Sequence, residues 1–351
     1  MISLPDTSMS AIDDALTAVL DRLTLRATPR GASALALIRA AAAATEGGKR
    51  FRPALVVSSF RAFAGDLDAT PGLWDVAAAF ELLHTAFVIH DDVIDRDIER
   101  RGVPNVGGTF RTRAQSQGIA PADAEKVGDA AAVLAGDILL YEATRLVAMA
   151  AIDGDRRVPL FALLDVRELA DRRDEHGVVE QAIVPTEPET AQLLSTAHDK
   201  TAVYSFCAPL AAGAVLAGAD EGDRAVLIAA GAELGLAFQL VDDLIGTFGD
   251  AGQAGRDTGA DLRESKRTPL ISFARESSAW PQVSSALALA PTGPIAIRAA
   301  QRELDASGAR ERLVALVGQT LASVRRRAAE LPDAPRTLVD DLANAIERRI
   351  P

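Results

Sequence analysis

The sequence predicts an all-α fold, a bundle of many helices. Three observations carry this. Alanine and leucine dominate a chain that is 48% hydrophobic but only 4% aromatic. That composition suits closely packed helices rather than sheets, which draw on Val, Ile and aromatics. Amphipathic patterns of helical period recur almost throughout the 351 residues,. No Ser/Gly-rich or Pro-rich linker interrupts them, so a single all-α domain over residues 1–351 is expected,.

The apolar period predicts helices over 9–25, 32–44, 52–64, 73–98, 122–150, 157–182, 188–206 and 208–218, then over 221–247, 268–276, 296–305, 308–329 and 335–349,. Loops are predicted at 99–120, 151–156, 183–187 and 249–267. The run "TEPE", Thr186 to Glu189, reads as a capping box opening a helix, and Gly249 as a helix stop,. No fixed-period repeat is present.

A net charge of −12 argues against a nucleic-acid partner,. The single cysteine, Cys207 in "YSFCAPLAAG", excludes an internal disulfide framework and reads as an inert core thiol,. The first residues, "MISLPDTSMSAIDD", lack the basic-then-apolar pattern of a secretory signal,. No run of about 18 uncharged apolar residues suggests a membrane span, so a soluble cytoplasmic protein is expected.

Two segments carry chemistry. "VIHDDVIDRDIERRGVP" drives an apolar helix into Asp91, Asp92 and Asp95. Asp91 and Asp95 are one turn apart on one face, and Asp92 is rotated by about 100°. Such carboxylates repel one another unless a hard cation such as Mg²⁺ joins them, and Mg²⁺ keeps coordination positions for water and phosphate. "FQLVDDLIGTFGD" repeats the device with Asp242 and Asp243. Two such helices could face each other across a bundle, with metal ions gripping a diphosphate. Bases cluster elsewhere: Lys49, Arg50 and Arg52 in "GGKRFRP", Arg100 and Arg101, Lys200 and Thr201 in "DKTA", and Arg256, Lys266 and Arg267 in "GRDTGADLRESKRTP". A helix start after two glycines favours anions, and arginines fork onto phosphate oxygens. Glu81 and His84 form one E-x-x-H pattern; carboxylate-bridged di-iron bundles use two, so iron is not expected,. His84 lies seven residues before Asp91, on nearly the same face, and His90 is expected to pack or bond locally.

In order, "GGKRFRP", "DDVID" with "RRG", "GD" at 136–137, "KTA", "FQLVDD" and "DL…SKRTP" span roughly residues 45 to 275. With this set the chain resembles the trans-isoprenyl diphosphate synthases, the polyprenyl synthetase family. The resemblance implies an isoprenoid-synthase-type helical bundle around a deep cavity, usually as a homodimer. It implies a Mg²⁺-dependent condensation of isopentenyl diphosphate with an allylic diphosphate. Asp91, Asp95 and Asp242 would bind Mg²⁺, supported by Asp92 and Asp243. Lys49, Arg52, His84 and Arg101 would hold isopentenyl diphosphate. Arg100, Lys200 and Lys266 would hold the allylic diphosphate, with Thr201 and Gln239 near the reacting carbons. Three positions depart from the pattern: Gly246 where many members have a third aspartate, Arg256 where a lysine is common, and Ser265 before Lys266. Gly246→Asp is therefore expected to change activity little. Ala86 and Phe87, five and four residues before Asp91, would set product length, favouring geranylgeranyl diphosphate with farnesyl and geranylfarnesyl diphosphates as neighbours. A terpene cyclase and a non-catalytic subunit of a heteromeric prenyltransferase are the rival readings.

Overall fold

The protein was analysed as a computed structural model that describes residues 4–165, 189–250 and 259–351, without the side chains of residues 196, 197, 199 and 200. It divides into two compact units, Ile2–Asp165 with Pro209–Ala219, and Val166–Ala208 with Asp220–Pro351.

In the first unit α1 (Asp6–Ala27), α2 (Ala32–Thr45), α3 (Phe51–Ala62) and α4 (Gly72–Ile94) are followed by a short hairpin of β1 (Glu99–Arg100) and β2 (Val103–Pro104). Then come α5 (Val106–Ser116), α6 (Pro121–Met149) and α7 (Gly154–Leu163). Helix α4 is the axis of this unit. Leu73, Val76, Phe80, Leu82, Leu83, Ala86 and Ile89 point to different sides yet are all buried, as expected of a helix apolar all round,. It packs on α6, α3 and α1. Phe80→Ala there would cost about 3–5 kcal/mol by leaving a cavity. The α4 chain ends in a Schellman turn: Asp97 N–H donates to the Asp92 carbonyl and Arg96 N–H to that of Val93,. Arg96 takes the left-handed position, φ 59°, that glycine usually fills.

In the second unit α8 (Thr190–Ala202) runs through a π-helical turn, Val203–Cys207, into α9 (Ala208–Ala217), whose residues from Pro209 onward pack with the first unit. Helix α10 (Glu221–Phe248) buries Leu227, Ala230, Leu234, Ala237, Val241 and Leu244, a stripe at alternating spacings of three and four,. After α11 (Ala260–Arg263) come α12 (Pro269–Arg275), α13 (Trp280–Leu289), α14 (Pro294–Ala306), α15 (Ala309–Ala328) and α16 (Asp333–Glu347).

Several expectations change. The predicted loop 99–120 contains the hairpin and α5. Helix α5 was hidden because its two leading glycines weaken propensity, whereas Asn105 caps it by accepting from the Gly108 N–H at 2.8 Å,. The loop 249–267 contains α11, and α13 was not anticipated. Helix α4 ends at Ile94 rather than 98. Helix α7 starts at Gly154 and ends at Leu163, so the predicted 157–182 is too long at least to 165; the remainder lies outside the described residues. The break expected at 207 is the π turn. The capping box sits at Glu189 and Gln192, while Thr186 lies outside the described residues. Gly249 does cap α10, in extended backbone. Cys207 is buried, its Sγ 3.4 Å from the Ile228 carbonyl. By length and composition α4 and α10 could each cross a membrane, but 78% of the apolar window of α4 is buried inside the protein.

Candidate active site

The basic loop before α3 is shaped by one residue. Arg50, with left-handed φ 49°, donates Nε to Asp13 (2.9 Å), and Nη1 both to the Thr45 carbonyl (2.7 Å) and to buried Glu81 (2.9 Å). It therefore joins the start of α3 to α1, α2 and α4. Burial opposes its charge, and the two carboxylates more than offset this, raising its pKa. Glu81 thus anchors Arg50. Gly48 admits this carboxylate, because a Cβ there would lie 2.6 Å from Glu81 Oε1. Arg101 closes the loop from the other side, donating Nη1 to the Gly47 carbonyl at 2.8 Å. Two motifs 54 residues apart therefore meet. Arg101 and Gly102 both have positive φ, the backbone of a tight two-residue hairpin turn,. Lys49 is exposed; Arg52, in the first turn of α3, and His84 are half-buried.

At the end of α4, Asp91 is half-buried, Asp95 exposed and Asp92 buried. Arg100 forks onto Asp92 Oδ1 with Nη2 at 2.6 Å and Nε at 3.1 Å. Burial pushes the Asp92 pKa upward and Arg100 opposes it; the upward push prevails. Behind Asp92 lies a cavity of about 30 Å³, room for one water-sized molecule, lined also by Arg96, Asp97, Asn105 and Arg111. His90 bonds locally, its Nε2 3.6 Å from Asp137 Oδ1 and 3.4 Å from the Val133 carbonyl. Gly136 makes room for it, since a Cβ would lie 2.1 Å from that nitrogen. The Gly-Asp pair at 136–137 thus seats His90. Ala86 and Phe87 are both buried.

In the second unit Thr201 donates to Gln239 Oε1 at 2.6 Å, and Gln239 Nε2 donates to Asp243 Oδ1 at 2.9 Å. The relay fixes the amide's orientation. Asp243 is buried, and burial is the main reason its pKa is pushed up to about 7; Gln239 opposes the shift, and Asp261 and Asp242 add to it. Asp242 is half-exposed, 2.5 Å from Arg349. Lys266 lies 3.3 Å from Asp261 and 3.0 Å from Glu264. The Lys200 side chain and Arg256 lie outside the described residues.

Position 246 is not open. A Cβ on Gly246 would lie 1.9 Å from Asp261 Oδ2, so Asp261 already fills that space. Gly246→Asp would have to displace a buried carboxylate and set a like charge against it. Asp261 and Arg349 were missed in the sequence. Asp261 sits inside a recognised motif but was read only for its bases; Arg349 belongs to no local pattern.

Each pair taken by itself offers the hard oxygen donors that suit Mg²⁺. The acids of α4 stand at its C-terminal end, where the helix macrodipole is already negative, and those of α10 lie in its C-terminal half,. Conversely, Lys49, Arg50 and Arg52 stand at the positive end of α3. Each misplaced charge costs about 0.3–1 kcal/mol unless a counter-charge arrives. Among the described residues no three His, Cys, Asp or Glu side chains form a preformed metal cage.

The model of the family described as Polyprenyl synthetase matches residues 36–293. A geranylgeranyl diphosphate synthase of Mycobacterium tuberculosis is 35% identical over 306 residues, 84% of this chain and 78% of the relative. A (2E,6E)-farnesyl diphosphate synthase of the same species is 35% identical over 229 residues, 64% of this chain and 56% of the relative. A solved geranylgeranyl pyrophosphate synthase of Corynebacterium glutamicum, complexed with isoprenyl diphosphate and magnesium, superposes with TM-score 0.87 at 27% identity, covering 99% of this chain and 100% of that one.

Proposed function

Since the chain belongs to the polyprenyl synthetase family, we propose that it condenses isopentenyl diphosphate with an allylic diphosphate and releases chiefly geranylgeranyl diphosphate. It is a polyprenyl diphosphate synthase, a prenyl transferase. The observation that carries the reading is the reversed charge at two helix ends, cations on the positive end of α3 and carboxylates on the negative end of α4, together with a second carboxylate pair inside the C-terminal half of α10. Bound diphosphates and divalent cations relieve both.

Asp91, Asp95 and Asp242 are the metal ligands in this reading, with Asp92 and Asp243 behind them. When bound, Mg²⁺ supplies Lewis-acid neutralisation of the leaving diphosphate. Lys49, Arg52, His84 and Arg101 hold isopentenyl diphosphate. Arg100 uses two donors on Asp92, and a guanidinium has five, so the rest remain for the allylic diphosphate,. Lys200, Arg256 and Lys266 share that diphosphate. The Thr201–Gln239 relay presents fixed dipoles where allylic cationic charge develops,. No side-chain nucleophile is needed; the double bond of isopentenyl diphosphate forms the new carbon–carbon bond, and the departed diphosphate takes the proton. Residues 1–351 act as one soluble, cytoplasmic prenyltransferase domain. A homodimer is supported by Val127, Leu134 and Tyr141, exposed on one face of α6 at seven-residue spacing,.

Incubation with Mg²⁺, isopentenyl diphosphate and an allylic diphosphate tests the reading. The expected product is a twenty-carbon chain; cyclised hydrocarbon would indicate a terpene cyclase, and no turnover without a second protein a subunit. Ala86 and Phe87 lie roughly 6–8 Å below Asp91 along α4. Ala86→Phe should shorten the product, and Phe87→Ala should lengthen it by about one isoprene unit, as one ring is added or removed. An unchanged length distribution for Phe87→Ala would make Phe87 a core residue. Arg52→Ala and His84→Ala should chiefly raise KM for isopentenyl diphosphate, whereas Lys200→Ala should weaken the allylic substrate. Equal effects on both substrates would contradict separate pockets.

A further inference from the structure

Asp242 is already held by a cation of the protein's own. Arg349, two residues beyond α16, sets Nη2 2.5 Å from Asp242 Oδ1. Its guanidinium lies 4.4 Å over the ring of Phe238, one helical turn before Asp242,. The other terminal nitrogen, Nη1, is buried and makes no hydrogen bond. The segment that carries Arg349 is tied down. Helix α16 packs on α10, Arg325 donates to Asn344 Oδ1 at 2.9 Å and to Glu347 Oε2 at 2.6 Å, and Arg310 donates to the Pro351 carbonyl at 2.7 Å. The arginine therefore reaches Asp242 from a fastened segment, in a seat with an aromatic face and a carboxylate.

We propose that Arg349 is a tethered cation that occupies Asp242 in the metal-free enzyme and must leave it before a divalent cation–diphosphate complex binds there. Arg349 thereby sets the affinity of the second aspartate site. The proposal rests on Asp242 being a metal ligand, as read above. A Mg²⁺ ion held by this carboxylate at about 2.0–2.1 Å would stand within a few ångströms of the guanidinium on Oδ1, so the two cations compete for the same negative charge,. The two cations also repel. Only molecules whose Arg349 has swung away can bind, so the apparent affinity falls by the fraction in that state. Neither a half-exposed ion pair nor ring stacking is strong, and so the arginine can swing away often enough for the cation–diphosphate complex to bind.

Calorimetric titration of Mg²⁺ with inorganic pyrophosphate into the full chain tests this. Arg349→Gln should bind about three- to tenfold more tightly than the unmodified protein, by removal of a pair of this strength. Its melting temperature should also rise more on adding Mg²⁺ and pyrophosphate. Unchanged affinity would overturn the proposal, and so would weaker affinity, which would make Arg349 a diphosphate ligand. Asp242→Asn separates this failure from failure of the metal reading. If Asp242→Asn still weakens binding while Arg349→Gln changes nothing, only the tethered cation is wrong. If Asp242→Asn binds as tightly as the unmodified protein, Asp242 is no ligand and both fall.

Discussion

At the end of α4 the buried aspartate of the pair, Asp92, is forked by Arg100, while at the end of α10 its counterpart, Asp243, faces the amide of Gln239. The outward aspartates differ in the opposite sense. Asp91 has Asp95 one turn away and exposed, whereas Asp242 is gripped by Arg349 and the position one turn on is Gly246. The third carboxylate beside the second pair, Asp261, comes from another helix and is buried. Two nearly identical sequence motifs thus have unlike electrostatics. In the first, an arginine favours ionisation of the inner acid, and of the outer acids Asp91 is half-buried and Asp95 exposed. In the second, burial pushes the inner acid's pKa up to about 7 and the outer one is paired with Arg349. The lesson is that an Asp-Asp pair on a helix specifies oxygen donors, while its neighbours decide when those donors carry charge.

The largest effect should come from removing the outer acids. Asp91→Ala and Asp242→Ala should each lower kcat by about 10³ or more, roughly 4 kcal/mol of transition-state stabilisation, with far-UV circular dichroism unchanged. Near-normal Mg²⁺-dependent turnover by either variant would mean that only one pair holds metal.

Arg100→Ala should make the first pair resemble the second. Asp92 would lose its fork, its carboxyl would protonate more readily, and the pH at which turnover rises should move upward. A pH profile of kcat superimposable on that of the unmodified enzyme would show that Arg100 does not govern Asp92.

Asp243→Asn probes the reverse case. With a folded-state pKa of about 7 against an ordinary 3.8, Asp243 favours the native state fully below the ordinary value. That contribution is lost as pH rises through about 7. The metal-free enzyme should therefore lose melting temperature between about pH 4 and 7, on the order of a few degrees, and Asp243→Asn should lose less,. Parallel curves for the two proteins would remove Asp243 from the account.

Gly246→Ala gives the smallest change on this scale. The methyl group must move the Asp261 carboxylate, so melting temperature should fall by a few degrees, about 1 kcal/mol. Gly246→Asp should fall further and lose activity. If Gly246→Asp matches the unmodified enzyme in both, Asp261 yields the space freely.

The sequence displayed what is periodic or local. Helix α4, apolar on all sides, and the stripe of α10 declare themselves, as do the acids at their ends. Helix α5 did not, because its first turn is Val106, Gly107 and Gly108 and its stability comes from the Asn105 cap and from packing on α6. The bases were visible as bases, but their present partners were not. That Arg50 serves Glu81 and Asp13, that Arg100 serves Asp92, and that Lys266 serves Asp261 are facts of folding over separations from 5 to 37 residues. Arg349 lies 107 residues from Asp242, with nothing local to mark it.

Arg50 has a bearing on how this enzyme can be trimmed. The family match begins at residue 36, yet one of the carboxylates fixing the basic loop, Asp13, lies in α1, ahead of that boundary. Arg22 of the same helix reaches buried Glu142 in α6 at 2.5 Å. A version cut to the family boundary would keep every motif and lose the brace that shapes the first of them. Its basic loop would be expected to sample several conformations. An engineer grafting the motifs onto another scaffold would have to import α1 as well.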